Sequence, residues 1–434
     1  MDIRFEEFEP IRVVRNLPEC DLLANPLLTE EEREYAAKFY DFIERELDAD
    51  ITTLQNLNYF VEEPTQDQKA KIVVKIVEKL ARSGFYSTIP EALNFYRYPV
   101  GGVMRNVIIA FILCCGKWSE AKDKYVGGNW SVEMTRLAGG TLYCNPVAYR
   151  ATEEQKRRLL YPVARDGAVA ASAMTEFEAG SDIAHMNLSI REDGSEVVLD
   201  GKKIFITNGP LAKYVLVYGR MEDGALGSVV VDTKDQTLEG FEATRLRTYG
   251  MTDAFVSRLV FDGVRVPKED VLEGHGLDTA FHQLTEERVV IAAEALGDVA
   301  KKLLFSHSFA IHRKQFGRRL HENQVIRMPI TANARALRQL TDSLINFARL
   351  MDSVRGEDPH LRADFAQKAM GLKIDATELA FDASIHCFRT MGGRGFTRQY
   401  AVPIGFLDAY CMIHGGGSNY VLQDSESRRE FRVA

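Results

Sequence analysis

Residues 188–209 read LSIREDGSEVVLDGKKIFITNG, and they mark a change in the character of the chain. Short runs of β-branched and apolar residues alternate here with Asp-Gly pairs, which are typical of tight hairpin turns. The pattern predicts a hairpin and its continuation into a further strand. Similar runs recur from about residue 166 to 275, with Asp-Gly turns predicted at 193–194, 200–201, 223–224 and 262–263. We therefore predict a central β domain, a barrel or sandwich, at residues 166–275.

Helical patterns lie on both sides of this β region. Thr29 and Glu32 form a predicted capping box, and apolar residues at helical spacing follow within residues 66–84. Residues 285–315, TEERVVIAAEALGDVAKKLLFSHSFAIHRKQ, predict a long and largely buried helix. The expected fold class is α+β and multidomain, with an N-terminal helical domain at residues 1–165 and a C-terminal helical bundle at residues 276–434.

The composition excludes several classes of protein. The 434 residues carry a net charge of −8, which argues against nucleic acid or an anionic membrane as the main partner. The most apolar run, residues 107–115, is too short to insert across a bilayer, and the acidic start of the chain predicts no signal peptide. The six cysteines form no CxxC pair and have no histidine at zinc-ligand spacing, so we expect buried, reduced thiols, no metal and a cytoplasmic protein.

Four motifs occur in a fixed order along this architecture. They are MTEFEAGSD at 174–182, KIFITNG at 203–209, RKQFGRRLHENQ at 313–324 and MGGRGFTRQY at 391–400. Together they resemble the acyl-CoA dehydrogenase family of flavoproteins, and the likeness extends from about Thr152 to Tyr420. The resemblance implies FAD as cofactor and a fold in which helices precede a β domain and a four-helix bundle follows it.

The first two motifs are similar to the family's flavin-ring segments. The resemblance places Met174 and Thr175 along the polar edge of the ring, and it places Gly180 and Ser181 in a turn near the phosphates, where Ser181 also approaches the substrate. Phe205 stands where the family usually has a tryptophan over the ring, and Thr207 lies near flavin N5. Phe177 replaces the usual proline of the turn.

The last two motifs are similar to segments that hold the adenosine half of FAD. In the family, the third motif reaches into a neighbouring subunit, where a cation meets the pyrophosphate and an aromatic ring packs by the adenine. The resemblance therefore implies a homotetramer. The residues that it assigns to this half are Arg313, Gln315, Phe316, Gln324, Arg389, Gly392 and Gly393.

The stretch CMIHGGGSNY at residues 411–420 departs from the family at its catalytic position. The segment matching residues 413–420 usually reads Ile-Tyr-Glu-Gly-Thr-Ser-Glu-Ile, and its first glutamate removes the α-proton of the acyl thioester. Gly415 stands at that position and has no proton acceptor. The backbone N–H of Gly415 remains as a donor for the thioester carbonyl, which makes Gly415 both a catalytic and a substrate contact.

A few members of the family carry the base on an earlier helix, just before an arginine, as the isovaleryl and long-chain enzymes do. The matching pair is Glu287-Arg288, with Arg288 beside the substrate. Helical spacing puts Glu287 on one face with Leu284 and Ile291, and no cation stands four residues before or after it. The sequence therefore favours Glu287 as the base.

Other interpretations of these acidic residues stay open. Glu286 and Glu287 have an alternative as first-turn residues that favour a helix N-terminus electrostatically. Glu294 lies two turns further along nearly the same face, where the family usually has a small residue. Asp408 and His414 stand near the glycines in sequence.

The expected function is α,β-dehydrogenation of an acyl thioester, carried by CoA or by an acyl-carrier protein, with electrons passing to an electron-transfer flavoprotein. Residues 94–129 differ most from the family's pocket segment, and the loss of a side chain at position 415 adds space, so we expect a branched, cyclic or otherwise bulky acyl group. Two alternatives stay open: a flavin-dependent monooxygenase or oxidase on the same fold, and a non-enzymatic flavoprotein like the DNA-damage-associated relatives. The net charge of −8 disfavours the second alternative.

Overall fold

The computed structural model describes residue 17 and residues 20–59, 66–89, 101–354, 362–397 and 405–431. Helices precede a β-sheet, and helices follow it, so the predicted fold class is confirmed. The domain boundaries at residues 165 and 275 fall between secondary-structure elements, and they stay predictions. Residues 94–100 of the predicted pocket segment and residues 398–400 of the fourth motif lie outside the described residues.

The N-terminal helices are short and mostly buried on one side. They are α1 (Glu30–Phe42), α2 (Asp48–Tyr59), α3 (Gln66–Arg82), α4 (Gly102–Cys115), α5 (Trp130–Arg136), α6 (Cys144–Arg150), α7 (Glu153–Gln155) and α8 (Tyr161–Ala164), with a small hairpin of β1 (Lys117–Ser119) and β2 (Lys124–Val126). The capping box predicted for α1 is present, with Glu32 and Thr29 bonding each other's backbone amides. The apolar run at 107–115 lies in α4, whose residues from Val103 on are buried. Among the described residues, no helix combines the length and the apolar character that crossing a bilayer requires.

The central sheet contains seven strands. They are β3 (Ala170–Ala173), β4 (Ser189–Asp193), β5 (Glu196–Ile206), β6 (Tyr214–Met221), β7 (Leu226–Asp232), β8 (Phe241–Arg245) and β9 (Ser257–Pro267). The order across the sheet is β3-β6-β4-β5-β9-β8, and β7 pairs with β6. β6 pairs parallel with β3 and β4, whereas the other pairs are antiparallel. The strands of the opening stretch thus lie in the middle of the sheet.

Two of the four predicted Asp-Gly turns are wrong. The pairs at 193–194 and 223–224 join β4 to β5 and β6 to β7, as predicted. The pairs at 200–201 and 262–263 lie inside β5 and β9, opposite each other, where the register between the two strands shifts. Asp200 accepts a hydrogen bond from the N–H of Gly263 at 2.8 Å. A glycine with positive φ suits a bulge as well as a turn, so local sequence did not distinguish the two.

The C-terminal part is built on three long helices. They are α9 (Gly276–His312), α10 (Gln324–Ser353) and α11 (Ala363–Met391), followed by α12 (Gly405–Met412) and α13 (Asn419–Glu430). α9 packs against α11, α10 and α4 at the centre of the molecule, and most of its residues are buried. It begins nine residues before Thr285, so Glu286 and Glu287 lie about three turns inside it. The alternative that these glutamates serve the first turn of the helix is therefore wrong.

The cysteines match their prediction with one exception. Five are buried, and Cys411 on α12 is exposed, so the expectation of a buried thiol is wrong at that position. Within the described part of the chain, no disulfide joins them.

Candidate active site

The structure brings Glu287, Arg288 and the glycine segment together. The Cδ atom of Glu287 lies 3.8 Å from the point where a Cβ of Gly416 would stand, and Cγ of Arg288 lies 3.5 Å from that point. Arg288 also donates from Nε to the carbonyl of Gly416 at 3.0 Å. The carboxylate of Glu287 therefore contacts the segment where the family's usual base would stand, although the two are more than 120 residues apart in sequence.

The three glycines have different backbone requirements. Gly416 and Gly417 adopt φ values of +63° and +103°, which strain any residue with a side chain. Gly415 lies outside this left-handed range, and a Cβ there would meet the flexible tip of Met412 at 3.3 Å. The backbone thus requires glycine at two positions, whereas the missing side chain at 415 reflects another constraint.

The N–H of Gly415 lies at the end of α12. It donates to the carbonyl of Cys411 at 3.3 Å, and the N–H of His414 donates to the same oxygen at 3.0 Å. The carbonyl of Cys411 keeps its shorter bond when the N–H of Gly415 turns to another acceptor. This amide is accordingly a weakly held donor beside Glu287.

The difference among the glycines gives a first prediction. Gly416→Ala should lower the free energy of unfolding by about 1–2 kcal/mol, because alanine must adopt a left-handed backbone and its Cβ would lie 3.0 Å from Cδ1 of Ile291. Gly415→Ala should change the stability by less than about 0.5 kcal/mol, because its backbone lies outside the left-handed region and the flexible tip of Met412 can move away from the new Cβ. Urea denaturation of both variants measures the difference. Equal losses would contradict the backbone assignment.

Lys373 anchors the glycine segment from α11. Its ammonium donates to the carbonyls of Ile413 and Gly417 at 3.0 and 2.9 Å and to Oδ1 of Asn419 at 2.6 Å. Asn419 in turn donates to Oγ1 of Thr377 and to Glu378. Lys373 is not among the residues predicted from sequence, although helical spacing puts it on the buried face of α11 with Ala369 and Thr377. A single lysine among the buried positions of a helix was the sequence feature that could have identified it.

Burial dominates the electrostatics of this site. It raises the pKa of Glu287 from 4.5 to about 7, against the opposing charges of Arg288 and Lys373. Burial also lowers the pKa of Lys373 to about 7, although the charge of Glu287 acts in the other direction. A carboxyl group with a pKa near neutrality is suited to general base catalysis, since it is both available and basic enough.

The competing acidic groups occupy other places. Glu286 is buried and accepts hydrogen bonds from the side-chain amides of Asn106 and Asn145 at 2.5 and 2.6 Å. Glu294 accepts from Nε1 of Trp130 at 3.0 Å, and Asp408 accepts from the N–H of Met251 at 2.5 Å. His414 is exposed, with its ring edge on Tyr410. Of these groups, Glu287 is the one that contacts Gly416.

The two flavin-ring motifs are held together by a buried ion pair that sequence reasoning missed. Lys203 donates to Glu176 at 2.8 Å and to the carbonyl of Met174 at 2.8 Å. Glu176 also accepts from the backbone amides of Asn187 and Leu188, at 2.7 and 2.9 Å. The N–H of Ile204 bonds the carbonyl of Thr175 at 2.9 Å. Both missed residues lie inside the quoted motifs, and each directly precedes an apolar residue of its motif, Phe177 or Ile204.

Phe205 shows the conformation of a residue that presents its ring to a ligand. Its φ is +60°, unusual for a bulky residue, and its side chain is 65% exposed. Thr207 is half-buried two residues later. Asn208, also at positive φ, donates to the carbonyls of Thr135 and Ala170 at 2.9 and 3.0 Å and so fixes the segment against α5.

The phosphate-side residues lie on open surface. Ser181 is exposed, and no described atom lies within 4 Å of a Cβ built on Gly180, Gly392 or Gly393. Gly392 ends α11 with a φ of +60°, and Arg389 is exposed one turn before it. Open backbone at these glycines lets phosphates approach closely, and the exposed ring of Phe205 is available to a flat ligand; FAD combines the two kinds of group.

The third motif forms a projecting hairpin. β10 (Lys314–Gln315) pairs with β11 (Arg318–Arg319), and Phe316 and Gly317 make the turn with φ values of +52° and +78°. Phe316 is 100% exposed, Arg313 and Gln315 are exposed beside it, and Gln324 is exposed at the start of α10. Leu320 and Phe309 pack with Met391, which brings this hairpin to the same end of the bundle as Gly392.

Comparisons with known proteins agree with this geometry. Residues 171–264 match the middle domain of acyl-CoA dehydrogenases, and residues 274–429 match their C-terminal domain. The caffeyl-CoA reductase–Etf complex subunit CarC of Acetobacterium woodii is 26% identical over 88% of this chain and 93% of its own. The mitochondrial isovaleryl-CoA dehydrogenase of Arabidopsis thaliana is 28% identical over 72% and 75% of the two chains.

Similarity to solved structures covers nearly the whole chain. The glutaryl-CoA dehydrogenase of Mycobacterium smegmatis, solved with FADH2, superposes with a TM-score of 0.79 at 21% identity over 96% of this chain and 99% of that one. The two matched domains together span more than half of the sequence. The chain belongs to the acyl-CoA dehydrogenase family, and it is a flavin-dependent oxidoreductase whose cofactor is FAD.

Proposed function

We propose that this enzyme dehydrogenates an acyl-CoA thioester to the trans-2-enoyl thioester, with Glu287 as the base that takes the α-proton. The observation that carries the proposal is the contact between Glu287 and the glycine segment, with 3.8 Å between Cδ and the Cβ position of Gly416. The base would thus act from α9 beside Gly416, the residue that follows the family's usual catalytic position at 415.

The residues around Glu287 supply the remaining requirements of proton abstraction. An α-proton of a thioester is weakly acidic, so the developing negative charge on the carbonyl oxygen needs a donor. The N–H of Gly415 supplies it by giving up its 3.3 Å bond to Cys411. Arg288 and Lys373 fix the glycine segment and place positive charge beside it. FAD, held by the residues of the first two motifs, would supply the acceptor for the β-hydride.

A bulky acyl group suits this site. The nearest groups to the Cβ position of Gly415 are the flexible tip of Met412 at 3.3 Å and Cδ1 of Ile291 at 3.7 Å, so the surroundings of the reacting carbons are apolar. CarC is named for caffeyl-CoA, a thioester with an aromatic acyl group. We therefore extend the expected branched or cyclic substrates to acyl groups that end in an aromatic ring.

The similarity to CarC also indicates an electron acceptor. CarC is named as a subunit of a complex with Etf, and we propose an electron-transfer flavoprotein as the partner of this chain. CarC is also named as a reductase, so reduction of an enoyl-CoA by the reverse reaction is the second candidate. The exposed hairpin at 313–319 supports a homotetramer in which Phe316 and Arg313 reach a neighbouring subunit. A cytoplasmic role in carboxylic acid degradation completes the proposal.

Anaerobic mixing with acyl-CoAs tests the function. The purified yellow protein is mixed without oxygen with butyryl-, octanoyl-, isovaleryl- and phenylpropanoyl-CoA, and the flavin absorbance is followed. Bleaching, with the enoyl-CoA as product, is the expected result. Bleaching by butyryl-CoA alone would contradict the bulky substrate. If no acyl-CoA reduces the flavin while an enoyl-CoA oxidises the reduced enzyme, the reductase is the function; if neither occurs, an oxygenase or a binding role replaces it.

A further inference from the structure

Glu294 is a fully buried carboxyl group with an unsatisfied oxygen. The residue is 0% exposed. Its Oε2 atom accepts from Nε1 of Trp130 at 3.0 Å, whereas Oε1 has no hydrogen-bond partner within the described part of the chain. Because an unsatisfied buried oxygen keeps the cost of its lost hydration, a stable core does not favour it.

The polar groups next to Glu294 form hydrogen bonds with one another. Arg136 donates from Nε and Nη2 to both carboxylate oxygens of Glu133, at 2.7 and 2.5 Å. Its Nη1 donates to Oδ1 of Asn106 at 2.9 Å and to the carbonyl of Tyr86 at 3.3 Å. The side-chain amide of Asn106 donates a hydrogen bond to Glu286. This buried cluster is internally paired, and Glu294 stands beside it without a share in its donors.

The protonation state of Glu294 limits which chemical groups could form a hydrogen bond with its unsatisfied oxygen. Burial, strengthened by the negative charges of Glu133 and Glu287, raises the pKa of Glu294 well above its ordinary value. This direction favours the neutral carboxylic acid, with one acidic hydrogen and one carbonyl oxygen. A hydroxyl group is complementary to both, since it donates and accepts.

Glu294 lies at a defined distance from the reacting carbons. It is seven residues after Glu287 on α9, two turns along the same face and about 10 Å along the axis. Ile291 stands between them, with Cδ1 toward the glycine segment. An acyl group that extends along α9 from the base would reach Glu294 with its far end.

We propose that Glu294 is a specificity residue that recognises a hydroxyl group at the far end of the acyl chain. This inference rests on the proposed dehydrogenase function and adds the class of substrate, ω-hydroxyacyl or hydroxyarylacyl thioesters. The hydroxyl group would accept from or donate to the carboxyl group of Glu294 and satisfy its Oε1 atom. The apolar side chain of Ile291 would line the path between the two polar ends.

Matched substrate pairs test this inference. The rate of flavin reduction divided by the dissociation constant is measured for ω-hydroxyoctanoyl-CoA against octanoyl-CoA, and for para-hydroxyphenylpropanoyl-CoA against phenylpropanoyl-CoA. The wild type should prefer the hydroxyl member of at least one pair by about 10-fold, because the unsubstituted member leaves the buried acid unpaired. Glu294→Met should abolish the preference, and Glu294→Gln, which keeps a donor and an acceptor, should retain most of it.

A binding measurement separates recognition from folding. Dissociation constants of para-hydroxycinnamoyl-CoA and cinnamoyl-CoA for the oxidised enzyme should show the same preference, and Glu294→Met should remove it. Asp278→Asn, an exposed site on α9, is the control and should keep it. Two results would overturn the inference about Glu294 and leave the dehydrogenase function in place. One is turnover of the unsubstituted acyl-CoAs with no preference for the hydroxyl members of the pairs, and the other is a preference that persists in Glu294→Met. Failure of every acyl-CoA to reduce the flavin would overturn the dehydrogenase and this inference together.

Discussion

Glu287→Gln is expected to slow flavin reduction by an acyl-CoA by about 100- to 10,000-fold, the range that a positioned general base contributes. Glutamine keeps the size of the side chain in its place against Gly416 but cannot take a proton. The variant should still bind FAD, because Glu287 lies outside the residues assigned to the cofactor. Stopped-flow absorbance under anaerobic conditions measures the rate, and Glu273→Gln, at an exposed position before α9, provides the matched control.

The pH dependence adds a second measurement to the same variant. Because the base must be ionised, the reduction rate of the wild type should rise with pH through about 7, and the small residual rate of Glu287→Gln should not show this rise. The contribution of Glu287 to the free energy of unfolding changes with pH in the opposite direction. The folded state holds the proton more tightly than the unfolded state, so the contribution of this group is complete below pH 4.5 and is lost as the pH rises through about 7. Glu287→Gln should therefore melt higher than the wild type at pH 8.

Relocation of the carboxylate is the sharpest control for this prediction. Gly415 tolerates a side chain in its backbone conformation, with only the tip of Met412 close by. The double variant Glu287→Gly/Gly415→Glu should recover part of the activity that Glu287→Gly loses. Rapid reduction by Glu287→Gln would show that the base is another group.

Lys373→Met is expected to have the largest effect on folding, with a loss of about 3–5 kcal/mol in the free energy of unfolding. Methionine fills the space but removes the lysine donor from three acceptors: the carbonyl of Gly417, the side chain of Asn419 and the carbonyl of Ile413, which keeps a second donor in the N–H of Asn419 at 3.0 Å. Because these groups hold the glycine segment, the N–H of Gly415 would lose its position and the reduction rate would also fall.

Thermal and urea denaturation measure this loss. Lys368→Met, an exposed lysine of the same helix whose ammonium lies 5.2 Å from the centre of the Phe347 ring, is the control and should change the stability by no more than about 1 kcal/mol. A loss below about 1 kcal/mol in Lys373→Met would contradict the anchoring role. A full loss of stability with an unchanged reduction rate would show that the glycine segment keeps its place without the lysine.

Motifs with local chemistry could be predicted from the sequence. The order of helices and strands, the capping box at Thr29 and Glu32, and the family with its FAD followed from short patterns whose meaning depends on nearby residues. The pair Glu287-Arg288 was identified by its resemblance to family members that carry the base on an earlier helix, just before an arginine. These predictions succeeded because capping, periodicity and glycine spacing act over a few residues.

Predictions that needed distant neighbours failed or were incomplete. The Asp-Gly pairs at 200–201 and 262–263 have the composition of turns, but they pair with each other across two strands and form a bulge instead. The sequence predicted that α9 begins at Thr285, nine residues later than it does. The residues around a glutamate do not distinguish a position in the first turn of a helix from one in its middle. Cys411 is exposed because of where α12 lies in the fold, which its neighbours in the chain do not show.

The sequence was sufficient to state that the usual base is absent at Gly415 and that a carboxylate is present at Glu287. Tertiary structure alone brought Glu287 to Gly416, the neighbour of Gly415, since α9 and the segment after α12 meet only when the helical bundle packs. It also revealed the anchor at Lys373, the ion pair of Glu176 with Lys203 and the unsatisfied oxygen of Glu294. Each of these depends on which buried polar groups find partners, and pairing in a desolvated core is a property of distances between chain segments rather than of any one segment.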